Sequence, residues 1–411
     1  MKFVKKKIFV SAYACEPGLG SEIGVGWHWV LEMSRYFELW VLTRESNRHT
    51  IEPWIKDNPE YAGIHFLYFD LPKWARFWKR GLRGVRTYYN LWQLFTNRIV
   101  KRTMQENGIK VFHHLTYGNV LWPVSRFGSR QQFIWGPVGG LETIPADYSR
   151  HYSRKSRIIE RIRRISVNAA CISPALRRRA SKADLILCKT ALTKDLLPDR
   201  VRNRSVIFTD VATDCSTTNP SSGQEPHEGM RLIAVGRLDA WRGFDIAILA
   251  VAEALKKYDD ITLTIVGKGI DRERLEALAR QCGIAQNVKF TGSVDSSTYR
   301  HLMSEADVVL NPSLKEGAVT VSFDAMAMGK PLVALDTTGY TRYFTPEFST
   351  VIPRKGREET IRNFAGAILR LHDPALRMKM GNAAAEAAGK ITWKRHGEEI
   401  RDIITAHIDF N

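Results

Sequence analysis

Short apolar runs that end at glycine or in a polar turn, each followed by a segment of helical spacing, recur along this chain, stop, and then begin again. This alternation restricts the fold most, because parallel strands need crossover connections of helical length that a hairpin turn cannot supply. In the first half, runs at 8–12, 39–43, 65–69, 110–114, 133–136 and 185–189 read as strands. Residues 213–229 then turn polar, with Ser, Thr, Asn, Pro and Gly and few apolar side chains, which marks a domain boundary. Beyond it, runs at 232–235, 263–266, 288–290, 308–310 and 332–335 resume the pattern, with helical periodicity at 244–255 and 272–279. A length of 411 residues exceeds one ordinary core and fits two domains of roughly 200 residues. The expected fold is α/β, with doubly wound parallel-sheet domains at 1–212 and 230–392, a linker at 213–229, and an amphipathic helix at 393–411.

Composition removes several classes. No run of 18 or more apolar residues occurs, so no spanning helix is expected, and the apolar run at the start is too short for a signal peptide. Cys15, Cys171, Cys188, Cys215 and Cys282 are scattered and odd in number. They have neither metal-ligand spacing nor a disulfide framework, which fits a reducing cytoplasm.

Residues 312–335 carry the most functional information. They read Pro-Ser-Leu-Lys-Glu-Gly-Ala-Val-Thr-Val-Ser-Phe-Asp-Ala-Met-Ala-Met-Gly-Lys-Pro-Leu-Val-Ala-Leu, that is, a loop, a helix, a turn and a strand. If the helix begins near Gly317, its unpaired N–H groups and dipole offer a site for a diphosphate. Glu316 and Asp324 stand eight residues apart, about 12 Å along a helix at about 1.5 Å per residue. That spacing suits one carboxylate at a sugar and the other further along a nucleotide. An acid near a helix N-terminus is favourable without any ligand, so the pair gains meaning only from its context.

That context lies at other strand ends. Gly236-Arg237-Leu238-Asp239-Ala240-Trp241-Arg242-Gly243 follows the first strand of the second half, placing two cations and flexible backbone at the carboxyl edge of a parallel sheet, where ligands bind. Gly267-Lys268-Gly269 ends the next strand, Asn287-Val288-Lys289-Phe290-Thr291-Gly292 surrounds the third, and Asp336-Thr337-Thr338-Gly339 follows the strand after the 312–335 helix. Glycine after a strand can also simply terminate it.

Together these segments resemble the retaining glycosyltransferases of family 4, with their Glu-x7-Glu signature. The resemblance is specific from Leu232 to about Val351 and looser over the first domain. It implies the GT-B fold, two Rossmann-like domains with a cleft between them, and a nucleotide-sugar donor, UDP- or GDP-linked. It also implies transfer with retention and no cofactor or metal, and no Asp-x-Asp pair argues otherwise. Residue by residue, Arg237 and Arg242 would grip the donor diphosphate; arginine stands at the second position where the family has lysine, and keeps the charge and bidentate geometry. Glu316 would face the donor sugar. Asp324 stands where the family has a second glutamate holding the ribose, one methylene shorter. Gly236, Gly267, Gly269, Asn287, Gly317, Ala318, Val319 and Thr320 would line the donor. The family's later Gly-Gly and Glu are replaced here by Thr338-Gly339 and Arg342. The helix opening near Trp393 would cross back onto the first domain.

The first domain carries a glycine-rich loop, Cys15-Glu16-Pro17-Gly18-Leu19-Gly20-Ser21-Glu22-Ile23-Gly24-Val25-Gly26, ahead of an aromatic helix expected from Trp27. Gly18 and Gly20 would let backbone approach the donor. Glu16 or Glu22 either orients an acceptor hydroxyl or is an ordinary loop acid. A histidine at about the place of His113-His114 reaches the donor sugar in the family; His113, His114 or neither fills that role. The glycine loop at 136–140 would shape the acceptor side.

A net charge of +18 calls for a negative partner or surface. Between Lys73 and Arg102 nine cations and no acid are interleaved with Trp74, Phe77, Trp78, Tyr88, Tyr89, Trp92 and Phe95, and between Arg150 and Lys182 a second basic run holds Glu160 as an isolated acid among its arginines. Solvated helix faces over buried aromatics, an anionic membrane carrying a lipid-linked acceptor, and single-stranded nucleic acid all accommodate such stretches. No zinc-finger spacing, recognition helix or RNA-binding sheet motif is visible, so nucleic acid is not the expected partner. The expectation is a glycosyltransferase acting on a lipid-linked or polysaccharide acceptor from the inner face of the cytoplasmic membrane. The alternatives are a non-catalytic nucleotide-sugar-binding protein and a single-stranded nucleic-acid-binding protein.

Overall fold

The computed structural model describes residues 5–78, 84–213, 227–315, 320–337 and 343–410. Seven parallel strands form one sheet: β1 (Lys6–Ser11), β2 (Phe37–Arg44), β3 (His65–Phe69), β4 (Val111–His114), β5 (Gln132–Val138), β6 (Leu185–Cys188) and β7 (Ser205–Ile207), in the order β3-β2-β1-β4-β5-β6-β7. Six more form a second: β8 (Met230–Val235), β9 (Ile261–Val266), β10 (Val288–Gly292), β11 (Val308–Asn311), β12 (Leu332–Leu335) and β13 (Ser349–Ile352), in the order β10-β9-β8-β11-β12-β13. Each sheet is doubly wound, and its order reverses once, between β1 and β4 and between β8 and β11. The carboxyl end of a sheet at such a reversal is where this architecture leaves a crevice for ligands.

The central strands are apolar throughout because helices cover both faces. Ile8, Phe9 and Val10 of β1 are fully buried, as are Val308 and Val309 of β11, and every residue of β12 is buried. β7 and β13 did not stand out in the sequence because they are short edge strands that open on Ser205 and Ser349.

The chain forms two compact units that do not divide at a single point. One comprises residues 1–141, 167–210 and 393–411, the other 142–166 and 211–392. Residues 142–166, expected in the first domain, are therefore counted with the second: Ile144, Tyr148 and Tyr152 join its core, and the Tyr148 hydroxyl is 2.7 Å from Thr360 Oγ1. In the first unit, the helix Trp393–His407 packs on the helix Ser21–Ser34. Trp393 stacks on His28 at 4.8 Å, and the His396 ring stands edge-on to Trp29 while Nε2 donates to the Thr209 carbonyl at 2.9 Å. Of the expected linker, 214–226 lies outside the described residues. No helix among the described residues is long and apolar enough to cross a membrane.

Candidate functional site

In the second unit Gly236, Arg237, Arg242, Gly267 and Gly269 follow the carboxyl ends of β8 and β9. The turn after β8 is backed by the turn after β9: Gly236 N donates to Val266 O at 2.9 Å, Leu238 N to Lys268 O at 3.1 Å, and Asp271 N to Leu238 O at 2.9 Å. Gly267 has φ +137°, and a Cβ there would sit 1.9 Å from the Gly236 carbonyl oxygen. A side chain cannot be accommodated, so backbone lies directly on backbone. A Cβ on Gly269 would fall 2.3 Å from the Leu238 carbonyl oxygen, and Gly267 N bonds Gly292 O at 2.8 Å. Gly236, Gly267, Gly269 and Gly292 thus form one surface.

The two cations of this turn are held differently. Arg237 points outward with its side chain 71% exposed and Nη2 2.9 Å from Asp239 Oδ2. A surface pair of this kind is weak and exchangeable, so the guanidinium is available to an arriving anion. Arg242 lies over the Trp241 ring at 4.4 Å, and Lys315 Nζ is 5.2 Å from the same ring centroid. The aromatic face holds both cations close to the turn.

The turn also meets the stretch that follows β11. A Cβ on Gly243, where φ is +70°, would lie 2.2 Å from Pro312 O, and Leu314 N donates to Trp241 O at 3.0 Å. Arg354 Nη1 donates to Leu314 O at 3.0 Å, and Lys315 Nζ reaches Glu160 Oε1 at 2.5 Å. Burial lowers the Lys315 ammonium to about 8; Arg163 pushes the same way and Glu160 opposes it. Lys315 is therefore charged at neutral pH, and its pair with Glu160 anchors the chain one residue before Glu316. Glu316, Gly317, Ala318 and Val319 lie outside the described residues, as do Thr338, Gly339 and Arg342. The described helix begins at Thr320 and runs to Ala327. On it, Asp324 Oδ2 accepts from the Tyr299 hydroxyl at 2.7 Å. Burial, with Asp324 adding to it, holds the Tyr299 phenol well above its usual value, so it stays a donor.

Asn287 is not brought to this site. It precedes β10 and its amide donates to the Ile261 carbonyl at 3.0 Å, at the amino-terminal edge of the sheet. In the segment 287–292 it is Gly292, at the far end, that reaches the turn of β9.

In the first unit the corresponding edge is closed by its own bonds. The helix expected from Trp27 begins at Ser21, so Gly24 and Gly26 are helical. A Cβ on Gly26 would fall 2.1 Å from Ala14 O and 2.6 Å from Thr116 Cγ2, which makes its glycine a packing requirement rather than a loop feature. Gly18 (φ +74°) and Gly20 remain in the loop with open space around them. Glu22 Oε1 accepts from Tyr117 N at 2.8 Å, and Glu16 Oε1 from the Thr50 hydroxyl at 3.0 Å. His113 and His114 end β4 and are both buried. His113 Nε2 donates to Gly136 O at 2.7 Å, and His114 Nε2 shares a 3.1 Å bond with the Tyr89 hydroxyl. Burial holds them neutral, at about 4 and about 3, with Arg179 pushing His114 down further.

Tyr299, Trp241 and the Lys315–Glu160 pair were missed by reading the sequence. Lys315 adjoins Glu316 and Glu160 stands isolated in a basic run, but nothing in the sequence joins two residues 155 apart.

Residues 216–387, less than half the chain, match the model of the family described as glycosyl transferases group 1. The phosphatidyl-myo-inositol mannosyltransferase of Mycobacterium leprae is 30% identical over 186 residues, 44% of this chain and 48% of the relative, so the chain spans about half the length of that protein. Among solved structures, sucrose-phosphate synthase from Thermosynechococcus elongatus superposes with a TM-score of 0.64 at 16% identity, covering 98% of this chain and 99% of that one. Anabaena HepE in complex with UDP gives 0.59 at 14% identity, covering 98% and 100%. The fold is GT-B, with two Rossmann-like parallel-sheet units.

Proposed function

We propose that the protein is a glycosyltransferase that moves a sugar from a nucleoside-diphosphate donor to a lipid-linked or saccharide acceptor with retention, without a metal. The observation that carries this reading is the single surface made by the β8 and β9 turns and the entry to 312–335, with Arg237 exposed on it and Arg242 and Lys315 against Trp241. The family match spans the same part of the chain. Arg237 and Arg242 would neutralise the departing diphosphate, a transition-state charge that donors fixed in place stabilise far better than mobile water. Glu316 would hold the donor sugar, and Asp324, oriented by Tyr299, the ribose. A lipid acceptor is supported by the name of the M. leprae relative, and a uridine donor by the HepE complex. Such an acceptor would place the protein on the inner face of the cytoplasmic membrane.

The test is a thermal-shift screen with UDP, GDP, ADP and their sugar conjugates, followed by a transfer assay on the nucleotide that binds. A base-selective rise in melting temperature that is absent in Arg237→Ala is expected. If no nucleotide shifts the wild-type chain, the reading fails.

A further inference from the structure

The helix Arg154–Ile172 is built inside out. Its inward face carries Ser156, Glu160, Arg163, Val167 and Cys171, with Glu160 bonded to Lys315 and Val167 buried. Its outward face carries isoleucines: Ile158 is 59% exposed, Ile162 58%, Ile165 59% and Ile172 71%. At about 100° per residue these four fall within an arc of about 80°. Arg157, Arg161 and Arg164 flank the stripe on one side and Lys155 on the other, and Arg154 lies in line with Ile172 at its edge. All five cations are exposed, while Glu160 faces inward and is paired.

Four large aliphatic side chains in register on an exposed helix are more than scattered surface apolarity. A stripe of this kind with cations at its margins matches a helix lying in the interface of a bilayer, apolar side chains among the upper acyl chains and cations at lipid phosphates. A second copy of this chain is a poorer occupant, because an isologous contact would bring rows of arginine against one another.

We infer that the helix Arg154–Ile172 docks the protein on an anionic bilayer, with Ile158, Ile162, Ile165 and Ile172 inserted. The inference rests on the membrane location proposed above and names the element that achieves it. Because Glu160 on the inner face grips Lys315, the docked helix is also the one that anchors the entry to the candidate catalytic segment.

The test is sedimentation of the full chain with phosphatidylcholine vesicles, with and without phosphatidylglycerol, alongside an Ile158→Ser/Ile162→Ser/Ile165→Ser variant and an Arg157→Glu/Arg161→Glu variant. Wild type should bind anionic vesicles and not neutral ones, and each variant should bind at least about tenfold more weakly with an unchanged melting temperature. Undiminished binding by the isoleucine variant, or no binding by wild type, overturns the inference. So does a wild-type dimer that the isoleucine variant dissolves in analytical ultracentrifugation, which would assign the stripe to a second copy. Nucleotide binding by thermal shift is read in the same samples. Its retention without vesicle binding sinks the docking helix alone, whereas its absence sinks the functional reading.

Discussion

At the carboxyl edge of the first sheet, the polar groups after β1 and β4 are bonded to one another. At the same edge of the second sheet, Arg237 in the turn after β8 presents its charge outward. Glu22 takes the Tyr117 amide, Glu16 the Thr50 hydroxyl, His113 the Gly136 carbonyl and His114 the Tyr89 hydroxyl. Tyr13 packs edge-on against Tyr89, Trp92 and Tyr117 within 5.3 Å, closing the edge with aromatic rings. Arg237, by contrast, is exposed and paired with Asp239 at the surface, and the turn around it is glycine backbone. The same strand-turn-helix plan thus makes a self-satisfied wall in one unit and a charged landing surface in the other. The difference lies in which residues follow the strands, not in the topology.

The comparison can be broken first by acid. His113, His114 and His396 all belong to the first unit and burial lowers them to about 4, about 3 and about 4. Their ordinary value is 6.5, so below it the unfolded chain takes up protons that the folded chain refuses. The stability they provide is complete above that value and is lost as pH falls towards the folded values, on the order of 3 kcal/mol for each. Urea midpoints at about pH 7 and about pH 4.5 should differ strongly, and less so in a His113→Gln/His396→Gln chain. Equal losses in both chains would show that the wall is not where acid acts.

Arg237→Ala tests the opposite property of the second unit. Transition-state stabilisation should fall by ~2–4 kcal/mol, read in kcat/KM, with no loss of melting temperature because the side chain is exposed. Normal turnover in that variant would leave the charged surface without a catalytic role. Gly267→Ala should destabilise the second unit by roughly 2 kcal/mol and abolish the nucleotide-induced shift, since its methyl group collides with the Gly236 carbonyl. A stable, nucleotide-binding Gly267→Ala chain would mean that the two turns can separate at little cost. The smallest change is Tyr299→Phe, which removes the donor to Asp324 and should weaken donor binding by about 1 kcal/mol, raising KM while leaving kcat near wild type. A fall in kcat instead would move Asp324 from ribose holding towards the chemistry.

The buried strands, the restart after the polar stretch and the turns at 236–243 and 267–269 were legible because each is a local pattern: apolar period, then glycine, then helix. The fate of the basic stretches was not. In the first, Tyr88, Tyr89 and Trp92 are core residues of the first unit while Trp74 and Phe77 stay exposed, and cation counts alone do not separate these outcomes. In the second, the cations were visible but the exposure of the isoleucines between them was not, because an apolar helical period does not say which way the helix will turn.

The sequence by itself determined two doubly wound sheets and the positions of the glycine turns at their strand ends, since alternating periods and glycine placement act over a few neighbours. Only the tertiary structure decided that residues 142–166 join the second unit and that Glu160 meets Lys315. It likewise decided that Asn287 sits at the wrong edge for a ligand and that the first unit's histidines are locked neutral. Each of these depends on which distant segments share a core, and so on burial and pairing across long loops, which no local pattern encodes.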